Sequence, residues 1–226
     1  MITRAAVVPH PPLLVPELVA GAAAETEPVR AATLAAAGKL PGPWVVVAVD
    51  PAGPATFMPP LSGTFLGYGV DVPVSLGGDL PPDARVPLPV LITAWLRERC
   101  AVEVSRVEVV PPDLPTPDCV SFGRRLAAED CSLLVLGDGS TRHGPRSPGS
   151  DDERSGPFDS AVHAALATAD VDGLLGLDTG LARELGVQGR AAWQVLAGVP
   201  GPWHCTSADF FAPFGVGYHV AVWERP

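Results

Sequence analysis

Four side chains in this sequence of 226 residues have the type and setting to do chemistry: His10, Asp50, Asp138 and His143. His10 lies in Ala6-Val-Val-Pro-His-Pro-Pro-Leu-Leu-Val-Pro-Glu17, where a short apolar strand runs into a proline-rich turn, and it is the only titratable group there before Glu17. Proline fixes its own φ and biases the preceding residue toward extended geometry, so the ring between Pro9 and Pro11 is aimed by the fold. Such an imidazole can hold a metal, hold a substrate or bond a neighbouring carbonyl. Asp50 ends a valine-rich run; its hard oxygen suits Fe(II) or Mn(II), and the alternative is a turn aspartate before Pro51. Asp138 stands where α/β folds mount functional carboxylates, at the end of an expected buried strand, or else braces a loop between glycines. His143 is a candidate general base or substrate anchor, with a solvated loop role as the alternative. Arg142 and Arg146 in the same loop, and Arg190, carry guanidinium groups that pair bidentately with the carboxylate of an anionic substrate, or else stay solvated.

The elements that must position these residues follow from periodicity and punctuation. Residues 25–40 are rich in alanine and leucine, with Pro28 in a first turn and Gly38 at the end, which predicts a helix. The continuous apolar run Trp44–Val49 suits a strand covered on both faces. Strand, helix and strand within about fifty residues read as a βαβ unit, with parallel strands ending on one sheet edge where ligands bind. His10 and Asp50 are therefore expected close together. Residues 57–74, rich in glycine, proline and aromatics, read as an irregular hairpin or covering loop. Helices are predicted over 89–100, 117–130, 158–169, 181–185 and 191–197, and strands over 102–110, 132–136 and 215–223. Gly137 to Gly149 is a long polar loop without periodicity, of the kind that carries function. There is no internal repeat and no shift in composition. The expectation is one α/β domain over residues 1–226, a three-layer arrangement with a mixed, mostly parallel central sheet and helices on both faces.

Composition excludes some partners. Hydrophobic residues make up 47% of the chain, and 25 acidic against 15 basic residues give a formal charge of -10. That balance argues against nucleic acid or an anionic membrane. No run approaches the roughly 20 apolar residues that span a bilayer, and no basic region precedes an apolar stretch at the N-terminus, so the expected location is cytoplasmic. The four cysteines at 100, 119, 131 and 205 have no C-x-x-C spacing, and buried free thiols are expected. No hydrolase elbow, P-loop or dinucleotide fingerprint is present.

Six segments, in order across nearly the whole chain, together resemble a known family. They are Val8-Pro-His-Pro-Pro-Leu-Leu-Val-Pro-Glu17, Val45-Val-Val-Ala-Val-Asp-Pro-Ala52, Leu136-Gly-Asp-Gly-Ser140, Gly156-Pro-Phe-Asp159, Gly189-Arg-Ala-Ala-Trp-Gln-Val-Leu-Ala-Gly198 and Pro213-Phe-Gly-Val-Gly-Tyr218. The set resembles the B-subunit fold of the class III extradiol dioxygenases, ring-cleaving non-haem iron enzymes, with the related Memo-type proteins. The resemblance implies Fe(II) held by two histidines and a glutamate, leaving positions open for a catecholate and dioxygen. It also implies a further histidine as the acid/base.

Carried over residue by residue, His10 matches the first metal histidine. Ala52 stands where the second belongs, Thr141 where the acid/base histidine belongs, and Gln188 or Gly189 where the glutamate belongs. The candidate site is accordingly His10 and Asp50 for a metal, His143 and Asp138 for catalysis, and Arg142, Arg146, Ser140, Thr141 and Gln188 for substrate. Three functions follow as expectations. The first is a relative of the family with a degenerate iron site that binds an aromatic or anionic small molecule, with no cofactor. The second is a working Fe(II) dioxygenase or other metalloenzyme with substituted ligands. The third is a structural subunit of a homo-oligomer or of a complex with a catalytic partner.

Overall fold

A computed structural model describes residues 1–19 and 21–226. Its strands are β1 (Arg4–Val8), β2 (Trp44–Val49), β3 (Ala55–Phe57), β4 (Leu61–Thr64), β5 (Pro73–Gly77), β6 (Val104–Val110), β7 (Ser132–Leu136), β8 (His204–Phe211) and β9 (Tyr218–Glu224). Its helices are α1 (Ala23–Ala37), α2 (Leu88–Cys100), α3 (Thr116–Leu126), α4 (Ser155–Thr168), α5 (Val171–Leu175), α6 (Thr179–Glu184) and α7 (Arg190–Ala197). Seven strands form one sheet in the order β3-β6-β2-β7-β1-β9-β8, while β4 and β5 make a separate hairpin. β6, β2, β7 and β1 are mutually parallel; β3 and β9 run antiparallel to their neighbours, and β8 pairs antiparallel with β9. The chain is a mixed α/β fold with its helices around one sheet, as its sequence pattern predicts.

The two central strands explain the layering. Every residue of β2 and β7 is buried, so both faces of the sheet must be covered. Side chains alternate between faces along a strand. Ala5, Val7, Val45, Val47, Leu133, Val135, Ala221 and Trp223 pack with α3 to α7. Ala6, Val8, Val46, Ala48, Leu134, Leu136, Val220 and Val222 pack with α1, α2 and the β4–β5 hairpin. Among the described residues no helix is long and apolar enough to cross a membrane. The cysteines are free thiols, but only Cys119 is fully buried, and burial pushes its thiol up to about 11.

One strand order differs from the expected βαβ neighbours. β7 inserts between β1 and β2, pairing Val7 with Val135 on one side and Val47 with Val135 on the other. The ends of β1 and β2 are thus two strand spacings apart, roughly 9–10 Å. Asp138, just beyond β7, takes the place beside His10 that Asp50 was expected to fill.

Candidate functional site

The alternation that sorts the core also sorts the polar groups at the C-terminal edge of the parallel strands. Gly137 N–H still bonds Val8 O at 3.1 Å, extending the β1–β7 pairing past both strands. His10 and Asp138 continue the set of β1 and β7 that faces α1 and α2, and Tyr218 at the start of β9 packs in that same layer. His219 falls on the opposite face, against Trp193 of α7 and Asp159 of α4. Two polar clusters result, one on each face, joined by the loop that begins at Gly137.

In the first cluster His10 is 2% exposed and its backbone N–H donates to Asp138 Oδ1 at 2.9 Å. Its Nδ1 is buried without a hydrogen bond, 3.7 Å from the same oxygen. Burial raises the Asp138 carboxyl above its ordinary value, opposed by the His10 ring, the His10 N–H and His219. Burial, with Asp138 adding to it, also raises the Tyr218 phenol. A raised carboxyl pKa means that ionising Asp138 works against folding above that pKa. Asp138→Asn keeps an acceptor for His10 N–H and removes the charge. Urea unfolding is therefore expected to show a higher midpoint than the parent at pH 7, and no difference well below the ordinary carboxyl value of 3.8, where Asp138 is neutral folded or unfolded.

The second cluster centres on Asp159, 1% exposed. Ser155, Phe158, Asp159, Val162, Ala165 and Leu166 are the buried positions of α4, spaced as one helical stripe, and Asp159 is the only charge among them. Its Oδ2 accepts from Ser140 N–H at 3.0 Å and lies 2.6 Å from His143 Nε2, while its Oδ1 lies 2.9 Å from His219 Nε2. Burial pushes the carboxyl up, but the His219 and His143 contacts and the Ser140 N–H outweigh it, and the net shift is downward. An ionised Asp159 can only accept, so Nε2 carries the proton in both rings. Gly139 and Gly217 let the backbone close around this carboxylate, since a Cβ at either would come within 2.5 Å of its oxygens. Phe210 packs between the rings of His143, His163 and His219, with its centroid 4.9 Å from that of His219.

His143 also lines a cleft of about 540 Å³ with Glu25, Arg146 and the segment Ala212–Gly215. Its Nδ1 makes no hydrogen bond and is not among the buried polar atoms, so it is open to solvent. His143 therefore holds a fixed ring with its basic nitrogen outward. A second cleft of about 400 Å³, walled by Pro51, Pro111 and Pro112, carries Arg183 and Gln188.

The expected site residues divide accordingly. His10 and Asp138 come together, and so do His143 and Arg146. Asp50 is not with them: its Oδ1 accepts Ala52 N–H at 2.8 Å, closing its own turn. Ser140 is fully buried, its hydroxyl bonded to Ser155 and to Leu185 O, so it cannot reach a substrate. Thr141 Oγ1 sits 3.5 Å from that same carbonyl. Arg142 is half-buried and lies outside both clefts. Gln188 is exposed in the second cleft, and its N–H donates to Asp138 O at 3.0 Å. Arg190 is 1% exposed and spends its guanidinium on Gln194 and the carbonyls of Pro112 and Leu114, so it braces the core and holds no anion. Asp159, which ends one of the resembling segments, and His219, whose face depends on strand alternation, are central here but carry no site role in the sequence reading.

The donor set for Fe(II) can be checked in the same way. Ala52 is an exposed turn residue, and a Cβ at Gly189 would lie 2.0 Å from Trp193 Cζ2, in space the indole fills. Among the described residues no group of three or more His, Cys, Asp or Glu side chains is placed to hold a metal ion. The residues around His10 thus do not make a triad of two histidines and a carboxylate.

Neither a protein-family model nor a curated protein matches the chain. Among solved structures, the crystal structure of uncharacterized protein JW3007 from Escherichia coli K12 is similar, with 14% identity, a TM-score of 0.49, and coverage of 97% of this chain and 99% of that one. The likeness is too remote to carry over any residue or role.

Proposed function

We propose that the chain is a divergent relative of the extradiol dioxygenase B subunits that binds an aromatic or anionic small molecule without a three-ligand iron centre. The observation that carries this reading is what occupies the companion positions of His10. One is an alanine in an exposed turn, and the other is either Gln188, an exposed amide on the second cleft, or Gly189, pressed against Trp193; neither is a carboxylate. The neighbouring carboxylate, Asp138, is engaged by the His10 N–H. In the resembling family the iron supplies redox chemistry between a catecholate and dioxygen. Here the residues offer binding and proton handling at the cleft that His143 and Arg146 share, whose volume falls within the range of ordinary small-molecule sites.

The test is calorimetric titration with 3,4-dihydroxybenzoate under anaerobic conditions, with and without added Fe(II), followed by oxygen-electrode assay in air. Binding with the same affinity in both titrations and no oxygen uptake is expected. Uptake that depends on Fe(II) would overturn the reading and favour the metalloenzyme alternative.

A further inference from the structure

The two ends of the sheet are finished differently. β3 closes one end with three residues, a short edge of the kind that discourages further pairing. β8 closes the other with eight, and it holds no proline. Among the described residues its backbone pairs only with β9, so its outer row of N–H and C=O groups has no strand to bond. The register shift between Cys205 and Ser207 leaves Ser207–Phe211 as the regular part. Two charges flank Ala208 there. Lys39, the only lysine in the chain, donates to Ser207 Oγ at 3.2 Å. Asp209 is exposed, with no hydrogen bond or ion pair among the described residues. Side chains alternate along a strand, and Phe211 packs in the layer of α1 and α2, so Ser207 and Asp209 lie on that same face. Phe210, on the opposite face, stays 37% exposed.

We infer that β8 is the contact between two copies of this chain, paired antiparallel about a twofold axis at Ala208 so that the two sheets join into one. An antiparallel edge is complementary to itself under such an axis, and Ser207 of each copy then faces Asp209 of the other. Cβ atoms of directly opposite residues lie about 4.5–5.5 Å apart. Each Lys39, already anchored on Ser207, therefore reaches the Asp209 carboxylate of the other copy, and the pair forms twice per dimer. The adjoining registers fail. A twofold at Asp209 sets two carboxylates opposite each other, and one at Ser207 runs into the bulge. Charge also selects a second copy over a foreign strand. A lysine and an aspartate two positions apart on one face match their own reverse, so a chain of formal charge -10 meets its copy here with no like charges opposed. The second strand also covers the open flank of Phe210. This contact is independent of the small-molecule reading above.

Sedimentation velocity of the full chain over a range of concentrations tests it. A species of twice the 23.3 kDa chain mass that dissociates on dilution is expected. Lys39→Glu and Asp209→Lys each oppose like charges twice per dimer, and each is expected to raise the dissociation constant about tenfold or more. The two substitutions together exchange the signs and are expected to return it to within about threefold of the parent. Both side chains are exposed, and near-ultraviolet circular dichroism checks that every variant keeps the parent fold. A parent that stays monomeric at every concentration would overturn the inference. So would a dimer that ignores the single reversals or is not restored by the pair, since its contact would then lie elsewhere, as at the exposed turn of Leu66, Tyr68 and Val70. Each of these results leaves the binding reading to the calorimetric titration, so the two fail separately.

Discussion

Asp159→Ala is expected to lower folding stability by about 3–5 kcal/mol, the cost of removing one partner from a buried charged network. The substitution leaves two imidazole Nε2–H groups and the Ser140 N–H without their acceptor in a region where His219 and Ser140 are fully buried. Guanidinium unfolding measures it directly. The pH dependence has a definite sign. Because the folded-state pKa of Asp159 is lowered from 3.8, its contribution is complete above the ordinary carboxyl range and is lost as pH falls through the folded value. The gap between parent and Asp159→Ala should therefore be widest near neutrality and narrow on acidification below about pH 4. A gap that stays constant with pH would mean that the carboxylate charge is not what organises this cluster.

Gly189→Ala is expected to destabilise by about 1–3 kcal/mol or more, because the added methyl has nowhere to go. Its Cβ would lie 2.0 Å from one carbon of the Trp193 indole and 2.3 Å from another, and that ring is fully buried. The cause is separable by a double-mutant cycle. Trp193→Leu alone should cost about 2–5 kcal/mol through lost packing, yet the pair Gly189→Ala with Trp193→Leu should cost less than the sum, since the smaller side chain vacates the contested volume. Strict additivity in denaturant unfolding would show that the glycine is required for another reason. The same geometry bears on function: a glutamate cannot be installed at 189 to complete a metal site while Trp193 keeps its place.

How much of this was legible in the sequence depended on whether the signal was local. The continuous apolar runs of β2 and β7 announce strands buried on both faces, and both fall at the predicted limits. α2 and α7 agree with their predicted limits to within one residue. β8 was missed because it is a half-exposed outer strand, with a register shift between Cys205 and Ser207 that breaks its alternation. α5 was missed because it is five residues long, marked only by the capping side chain of Asp170. The placing of β7 between β1 and β2 depends on pairings across more than eighty residues, which no local pattern encodes.

The site was half legible for the same reason. His10, Asp138 and His143 stand out because prolines or glycines surround them in turns. Asp159 does carry a local signal, a lone carboxylate on the apolar stripe of α4 at the i+4 position from Ser155. Its partners could not be read from spacing, since His219 is sixty residues away and reaches Asp159 only because β9 presents it on the α4 side of the sheet.

The central proposal is that the edge carrying His10 has given up a three-ligand metal centre while keeping a small-molecule site. Metal analysis of protein purified anaerobically with iron supplied, run beside His10→Ala, tests it most directly. Iron well below one equivalent, and unchanged by His10→Ala, is expected. One equivalent of iron in the parent, lost on His10→Ala, would contradict the proposal.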